Sequence, residues 1–244
     1  MGRVSFVWFG LDGVLVNHQF AIERAISGEW WELFAPHRIG GIGQRERQRS
    51  MVGALLSLGA RFGLDGELEE ILSGFGFEGP KRSRAYLIER FRDEYMKHLA
   101  VYGDVPPLFF LVGSKIQLGV TSRGARSLEE AKLMRLGLSD RFAMSMFEAQ
   151  VTRGGELSLF TRWVEQCALP PREIFFVGSD LNEDVEAARR CGLRAVWLNR
   201  YSSRRAHDIP TVHSLDELVC FFDEWVGETD WLSHQIKASA RSGL

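Results

Sequence analysis

Four short stretches hold the side chains best suited to chemistry: residues 10–14, 121–123, 153–156 and 179–184. Among them are the carboxylates Asp12, Asp180 and Asp184, the hydroxyls Thr121 and Ser122, and the guanidinium of Arg153. Carboxylate oxygens can hold a hard cation such as Mg²⁺. Each stretch lies at or soon after the end of a short apolar run. That is where open parallel sheets bind ligands, at the carboxyl ends of their strands. Other motifs are absent or misplaced. The chain has no G-x-x-x-x-G-K-[ST] and no H-E-x-x-H, and its six histidines show no ligand spacing. Gly74-Phe75-Gly76-Phe77-Glu78-Gly79 fits G-x-G-x-x-G on paper. It follows a helical pattern and is closed by Pro80, so it reads as a helix end and loop, not as a dinucleotide fingerprint.

The elements that must position these residues follow from periodicity. Residues 4–9 (VSFVWF) form a continuous apolar run, as expected of a strand buried on both faces. From residue 17 to about 100 apolar residues recur at helical spacing: Ala21, Ile22, Ala25 and Ile26; Met51, Leu55, Leu58 and Phe62; Leu87, Ile88, Phe91 and Tyr95. Beyond residue 116 the pattern alternates. Apolar runs at 116–120, 142–146, 174–177 and 195–198 are followed by amphipathic segments at 128–136, 157–167, 184–191 and 215–226. Alternating strands and helices predict βαβ units and a Rossmann-like parallel sheet with helices on both faces. The first strand joins that sheet, and the helical region is an insertion. The expected domains are a discontinuous α/β core at 1–16 and 102–244 and an all-helical cap at 17–101. Residues 227–244 read as a terminal extension docked by Trp231 and Leu232.

On these motifs and their order, the chain resembles the haloacid dehalogenase-like (HAD) superfamily of phosphatases and related hydrolases over residues 4–226. The family's first strand ends in D-x-D-G-[TV]-[LV], and here the chain reads Gly10-Leu11-Asp12-Gly13-Val14-Leu15. Its second strand ends in Ser or Thr, matching Val120-Thr121-Ser122. Its fourth motif, G-D-x-x-x-[x]-D, corresponds to Gly178-Ser179-Asp180-Leu181-Asn182-Glu183-Asp184. The resemblance implies an active-site cleft under a helical cap and, for the family, an aspartyl-phosphate reaction with Mg²⁺.

Role by role, the same resemblance marks departures. The nucleophile position is Gly10, while Asp12 keeps the acid/base position and Thr121, with Ser122 beside it, the phosphate contact. The family lysine falls at Gly154, with Arg153 beside it to supply positive charge. The first metal carboxylate position is Ser179. A one-residue shift brings Asp180 and Asp184 into D-x-x-x-D spacing as metal ligands. Two readings stay open. One is a pseudophosphatase that binds a small, phosphorylated ligand or a protein partner. The other is an unconventional phosphohydrolase using Asp12, Asp180 and Asp184 with metal-activated water.

Composition narrows the surroundings. The 30 Lys+Arg against 32 Asp+Glu give a formal charge of -2, with no basic excess for nucleic-acid binding. The longest apolar stretch, residues 105–113, is far short of the roughly 20 residues that span a membrane. Three cysteines without a C-x-x-C pair point to a reducing compartment, and the expectation is a cytoplasmic monomer or homodimer. Arg45, Arg47, Arg49, Lys81, Arg82 and Arg84 read as solvated helix faces. Trp30-Trp31 reads as an exposed pair at a cap–core contact or a dimer surface.

Overall fold

A computed structural model describes residues 4–34, 43–62, 64–112, 116–147 and 155–219. Six parallel strands form one sheet: β1 (Phe6–Gly10), β2 (Gln117–Ser122), β3 (Met144–Phe147), β4 (Ile174–Gly178), β5 (Arg194–Leu198) and β6 (Thr211–Val212), in the order β3-β2-β1-β4-β5-β6. The first five fall within two residues of the apolar runs in the sequence. β6 was not expected, because two residues are too few to form an apolar run.

Strand residues are buried on alternating faces, as a period of two requires. Val7 and Phe9 of β1, Phe175 and Val177 of β4, and Val196 and Leu198 of β5 pack into one core. Phe6 and Trp8, Ile174 and Phe176, and Ala195 and Trp197 pack into the other. Helix α6 (Val105–Val112) covers the first face, with Phe109 5.9 Å from Phe9 between ring centroids. Helices α8 (Gly155–Cys167) and α9 (Glu186–Arg190) cover the second through Phe160, Trp163, Ala187 and Ala188. Gly119 of β2 is obligatory for packing. A Cβ there would lie 2.5 Å from the Trp8 ring and 2.6 Å from that of Phe6.

Five helices lie between β1 and α6: α1 (His18–Ile26), α2 (Glu29–Phe34), α3 (Gln44–Phe62), α4 (Leu64–Gly74) and α5 (Lys81–His98). Ala21, Ile22, Ala25 and Ile26 of α1 are buried, as are Leu87, Phe91 and Tyr95 of α5. The chain enters and leaves this unit at one place. Val16 pairs antiparallel with Val101, Asn17 N–H donates to Ala100 O (3.0 Å), and Tyr102 N–H donates to Leu15 O (3.0 Å). The glycine motif at 74–79 joins α4 to α5, with Gly76 at φ +76°. It is a helix end, as its sequence position implied.

Two expectations fail here: Arg47, read as part of a solvated helix face, is only 7% exposed, and the tryptophan pair is not exposed. Trp30 and Trp31 are each only 2% exposed. Trp30 stacks on Phe34, meets Phe91 edge-on and donates Nε1–H to Leu87 O at 2.8 Å. Adjacent residues on a helix can both be buried when the helix packs on two sides, and α2 lies among other cap helices. Residues 227–244, Gly40, Gly41 and Cys220 lie outside the described residues. Among the described residues no helix is long and apolar enough to cross a membrane.

Because Trp30 fills the interior of the helical unit, Trp30→Ala should lower stability by about 3–5 kcal/mol. Urea unfolding measures this, and a loss below about 0.5 kcal/mol, as at an exposed site, would contradict the burial.

Candidate functional site

Strand order reverses direction between β1 and β4, which makes the carboxyl ends of β1, β2 and β4 a topological switch point where a crevice opens. The crevice here is a cleft of about 260 Å³ lined by Gly10, Asp12, Thr121, Ser122, Ser179, Asp180 and Asp184. The sequence-marked positions therefore meet in one place. Arg153 and Gly154 lie outside the described residues.

Local sequence builds each wall. Gly10 ends β1 beside Thr121, and the next amide, Leu11 N–H, donates to Thr121 O at 2.8 Å. The chain then turns tightly, with Gly13 N–H donating to Val16 O (3.1 Å). Gly13 has φ +75°, and a Cβ there would come within 2.9 Å of Ser179 Oγ. Only glycine allows both the backbone angle and the approach of the fourth motif. Ser179 Oγ donates to Asp12 O at 3.0 Å, which ties the two loops together. After β4, Asp180 caps the turn at Leu181–Val185, its Oδ1 accepting from Asn182 N (2.9 Å) and Glu183 N (2.8 Å).

Two cations to which the sequence reading gave no role govern the electrostatics. Lys132 on α7 (Arg126–Arg135) is fully buried. Its Nζ donates to Asp12 at 3.0 and 3.2 Å and to Glu129 Oε1 at 2.8 Å. Burial works against the Lys132 charge, but Asp12 and Glu129 reverse that effect and hold its pKa well above the ordinary value. Burial likewise opposes the Asp12 carboxylate, and the Lys132 and His18 charges more than offset it, so its pKa lies below the usual value. For Glu129 burial prevails despite Lys132, and its pKa is pushed up to about 7. From the helical unit, His18 Nδ1 lies 2.8 Å from Tyr95 Oη and 3.5 Å from Asp12 Oδ1, and Lys132 Nζ lies 5.4 Å from the Tyr95 ring centroid. Burial holds His18 below its ordinary pKa, against the pull of Asp12.

The second cation is Arg123, which follows Thr121-Ser122. Its Nη1 donates to Glu183 Oε2 at 3.0 Å and its Nη2 to Asp184 Oδ1. Burial raises the Asp184 pKa, with Arg123 opposing and Asp180 adding to the rise.

The sequence carried a trace of both cations. Arg123 sits in the stretch 121–123. Glu129 and Lys132 share a helical stripe with Leu133 and Leu136, so charges fall at core-facing positions and need internal partners.

The ion implied by the family finds a poor donor set in this arrangement. Mg²⁺ wants near-octahedral oxygen ligands, usually with one or two carboxylates. Gly10 has no side chain to offer, Asp12 O accepts the Ser179 hydroxyl, Asp180 caps a turn and Asp184 is held by Arg123. Among the described residues no group of three His, Cys, Asp or Glu side chains could hold a metal ion.

With the geometry in place, comparison defines the class. The family model of haloacid dehalogenase-like hydrolases matches residues 6–192, and the chain belongs to that family. No curated protein matches the chain. Among solved structures it is similar to a HAD phosphatase from Thermococcus onnurineus, with 23% identity, TM-score 0.64, and coverage of 89% of this chain and 97% of that one. It is also similar to a 2-haloacid dehalogenase from Pseudomonas syringae pv. Tomato, with 22% identity, TM-score 0.62, and coverage of 91% and 99%. Bacillus subtilis YfnB, solved bound to magnesium, gives 16% identity, TM-score 0.67, and coverage of 91% and 99%. At these identities the likeness establishes the shared fold.

Two outcomes test the electrostatics. Lys132→Met should cost about 3–5 kcal/mol in urea unfolding, because Asp12 and Glu129 lose the cation that compensates their buried charge. A loss under about 1 kcal/mol would refute that role. The second outcome concerns pH. Glu129 ordinarily titrates near 4.5 and is pushed up to about 7 in the folded chain. Between those values the folded state holds a proton that the unfolded chain has released, so this group's stabilising contribution falls as pH rises. His18, held below its ordinary pKa, contributes with the opposite sign. Comparing Glu129→Gln with the unaltered chain isolates the first effect. The variant should gain stability relative to the unaltered chain from about pH 4.5 to 7, and a pH-independent difference would count against it.

Proposed function

We propose that this HAD-like chain no longer performs aspartyl-phosphate chemistry and acts by binding a small polar ligand, phosphorylated compounds included, in the cleft above Gly10. The observation that carries the reading is the missing side chain at position 10. The fold does not force that absence. A Cβ on Gly10 would lie 3.3 Å from Val14 Cγ2 and 3.6 Å from Val177 O, so a side chain could begin there with a small shift of Val14. In a well-studied protease, loss of the covalent nucleophile costs on the order of 10⁶ in kcat.

Further support comes from Asp12, whose two oxygens face the Lys132 ammonium. A carboxylate held ionised by a buried cation is a poor proton donor to a leaving group. The cleft volume, about 260 Å³, lies near the lower end of small-molecule sites and favours a compact ligand over a protein partner. In this reading Thr121 and Ser122 contact the ligand, together with Arg153. Residues 17–101 form the cap, and residues 1–16 and 102–244 the core. The neck at Val16 and Val101 supports that division.

The test is hydrolysis of a phosphate-ester panel with and without Mg²⁺, alongside melting of the full chain with each compound. No turnover is expected, and at least one compound should raise the melting temperature in a way that Thr121→Val removes. Turnover abolished by Asp12→Asn would overturn the reading in favour of an unconventional phosphohydrolase.

A further inference from the structure

We infer that this cleft supplies its own cation: the Arg123 guanidinium stands at Glu183 and Asp184 in place of a divalent ion, and the site accepts Mg²⁺ only when Arg123 is removed. The inference goes beyond the functional reading and rests on contacts which that reading does not use.

Three independent contacts support it. Arg123 is a fixed part of the site, its side chain 10% exposed and forked across two carboxylates, with Nη1 on Glu183 and Nη2 on Asp184. A planar guanidinium is suited to that grip because its donors diverge in a rigid fork. The hydroxyl of Ser179 takes up the backbone carbonyl of Asp12. Asp180, the other carboxylate in reach, accepts the amides of Asn182 and Glu183. Each of these groups thus already accepts a hydrogen bond through at least one oxygen, and a guanidinium cannot be deprotonated to make way.

The same contacts predict what removal does. Without Arg123, Glu183 and Asp184 would face each other across a partly buried gap with no compensating charge. Such a pair favours any cation that can enter. The chain should then become metal-responsive at the position where Arg123 had stood.

The experiment is thermal melting and calorimetric titration of the full chain with Mg²⁺, with EDTA as the reference. The unaltered chain should melt at the same temperature in both and give no binding heat at millimolar Mg²⁺. Arg123→Ala should melt lower in EDTA and recover by about 2–4 °C in Mg²⁺. Arg123→Gln keeps hydrogen-bond donors but loses the charge, and it should gain the same response if the alanine variant does not fold. Arg123→Lys keeps a cation and should remain indifferent to the metal. Saturable Mg²⁺ binding by the unaltered chain, removed by Asp184→Asn, overturns the inference. A folded neutral variant that ignores Mg²⁺ overturns it as well. The functional reading fails on a different readout, since turnover in EDTA would sink that reading without bearing on metal binding.

Discussion

The Lys132 ammonium is fully enclosed and donates to three carboxylate oxygens from two residues. Taking a charge out of water costs several kcal/mol per ion even after the protein relaxes, and good partner geometry must offset that cost. Much of the site is the set of partners that meets this demand. Asp12 turns both oxygens toward Lys132, which fixes the loop after β1. Glu129 joins from one turn earlier on the same helix, so α7 is bound to that loop. His18 and Tyr95 come from α1 and α5 and close the cluster from the cap side. One buried charge thus sets the register between the helical unit and the sheet, at the point where a ligand would lie.

Topology brings these groups together and then limits what can stand beside them. Strands β1, β2 and β4 end at the same level because β1 pairs with both neighbours in parallel register. Their loops converge so tightly that Gly13 cannot carry a Cβ beside Ser179. That closeness lets Ser179 reach Asp12 O, a position where the family uses an aspartate. A serine hydroxyl donates where a carboxylate could only accept. The substitution therefore reverses the hydrogen-bond polarity at the centre of the motif.

Much of the fold was legible in the sequence because burial on both faces leaves a continuous apolar signature. VSFVWF at 4–9 and IFFV at 174–177 show it, and these runs became β1 and β4. The cleft positions were legible because they follow strand ends. Cross-chain pairing was less legible. Arg123 meets Asp184 across 61 residues and Lys132 meets Asp12 across 120, and no local period encodes such a contact. Trp30 and Trp31 failed for a related reason. Adjacent aromatics look too close to share one buried helix face, and only the packing of several cap helices shows that both are enclosed.

A charge count around the cleft links the missing nucleophile to the two cations. Lys132 faces Asp12 and Glu129, and Arg123 faces Glu183 and Asp184, so each cluster sets two carboxylates against one positive charge. With every acid ionised the Lys132 cluster would carry one excess negative charge, and Asp180 beside Asp184 adds a further one at the Arg123 cluster. In each, one carboxyl has an elevated pKa: Glu129 at about 7, and Asp184 raised chiefly by burial. At Glu129, near neutral pH, part of the imbalance is therefore met by a proton. A carboxylate at position 10 would add a further negative charge beside Asp12, whose oxygens already take up the Lys132 ammonium. In the family, metal and lysine supply that balance. Here the Arg123 and Lys132 charges are already committed, and glycine at position 10 is the residue electrostatically consistent with them.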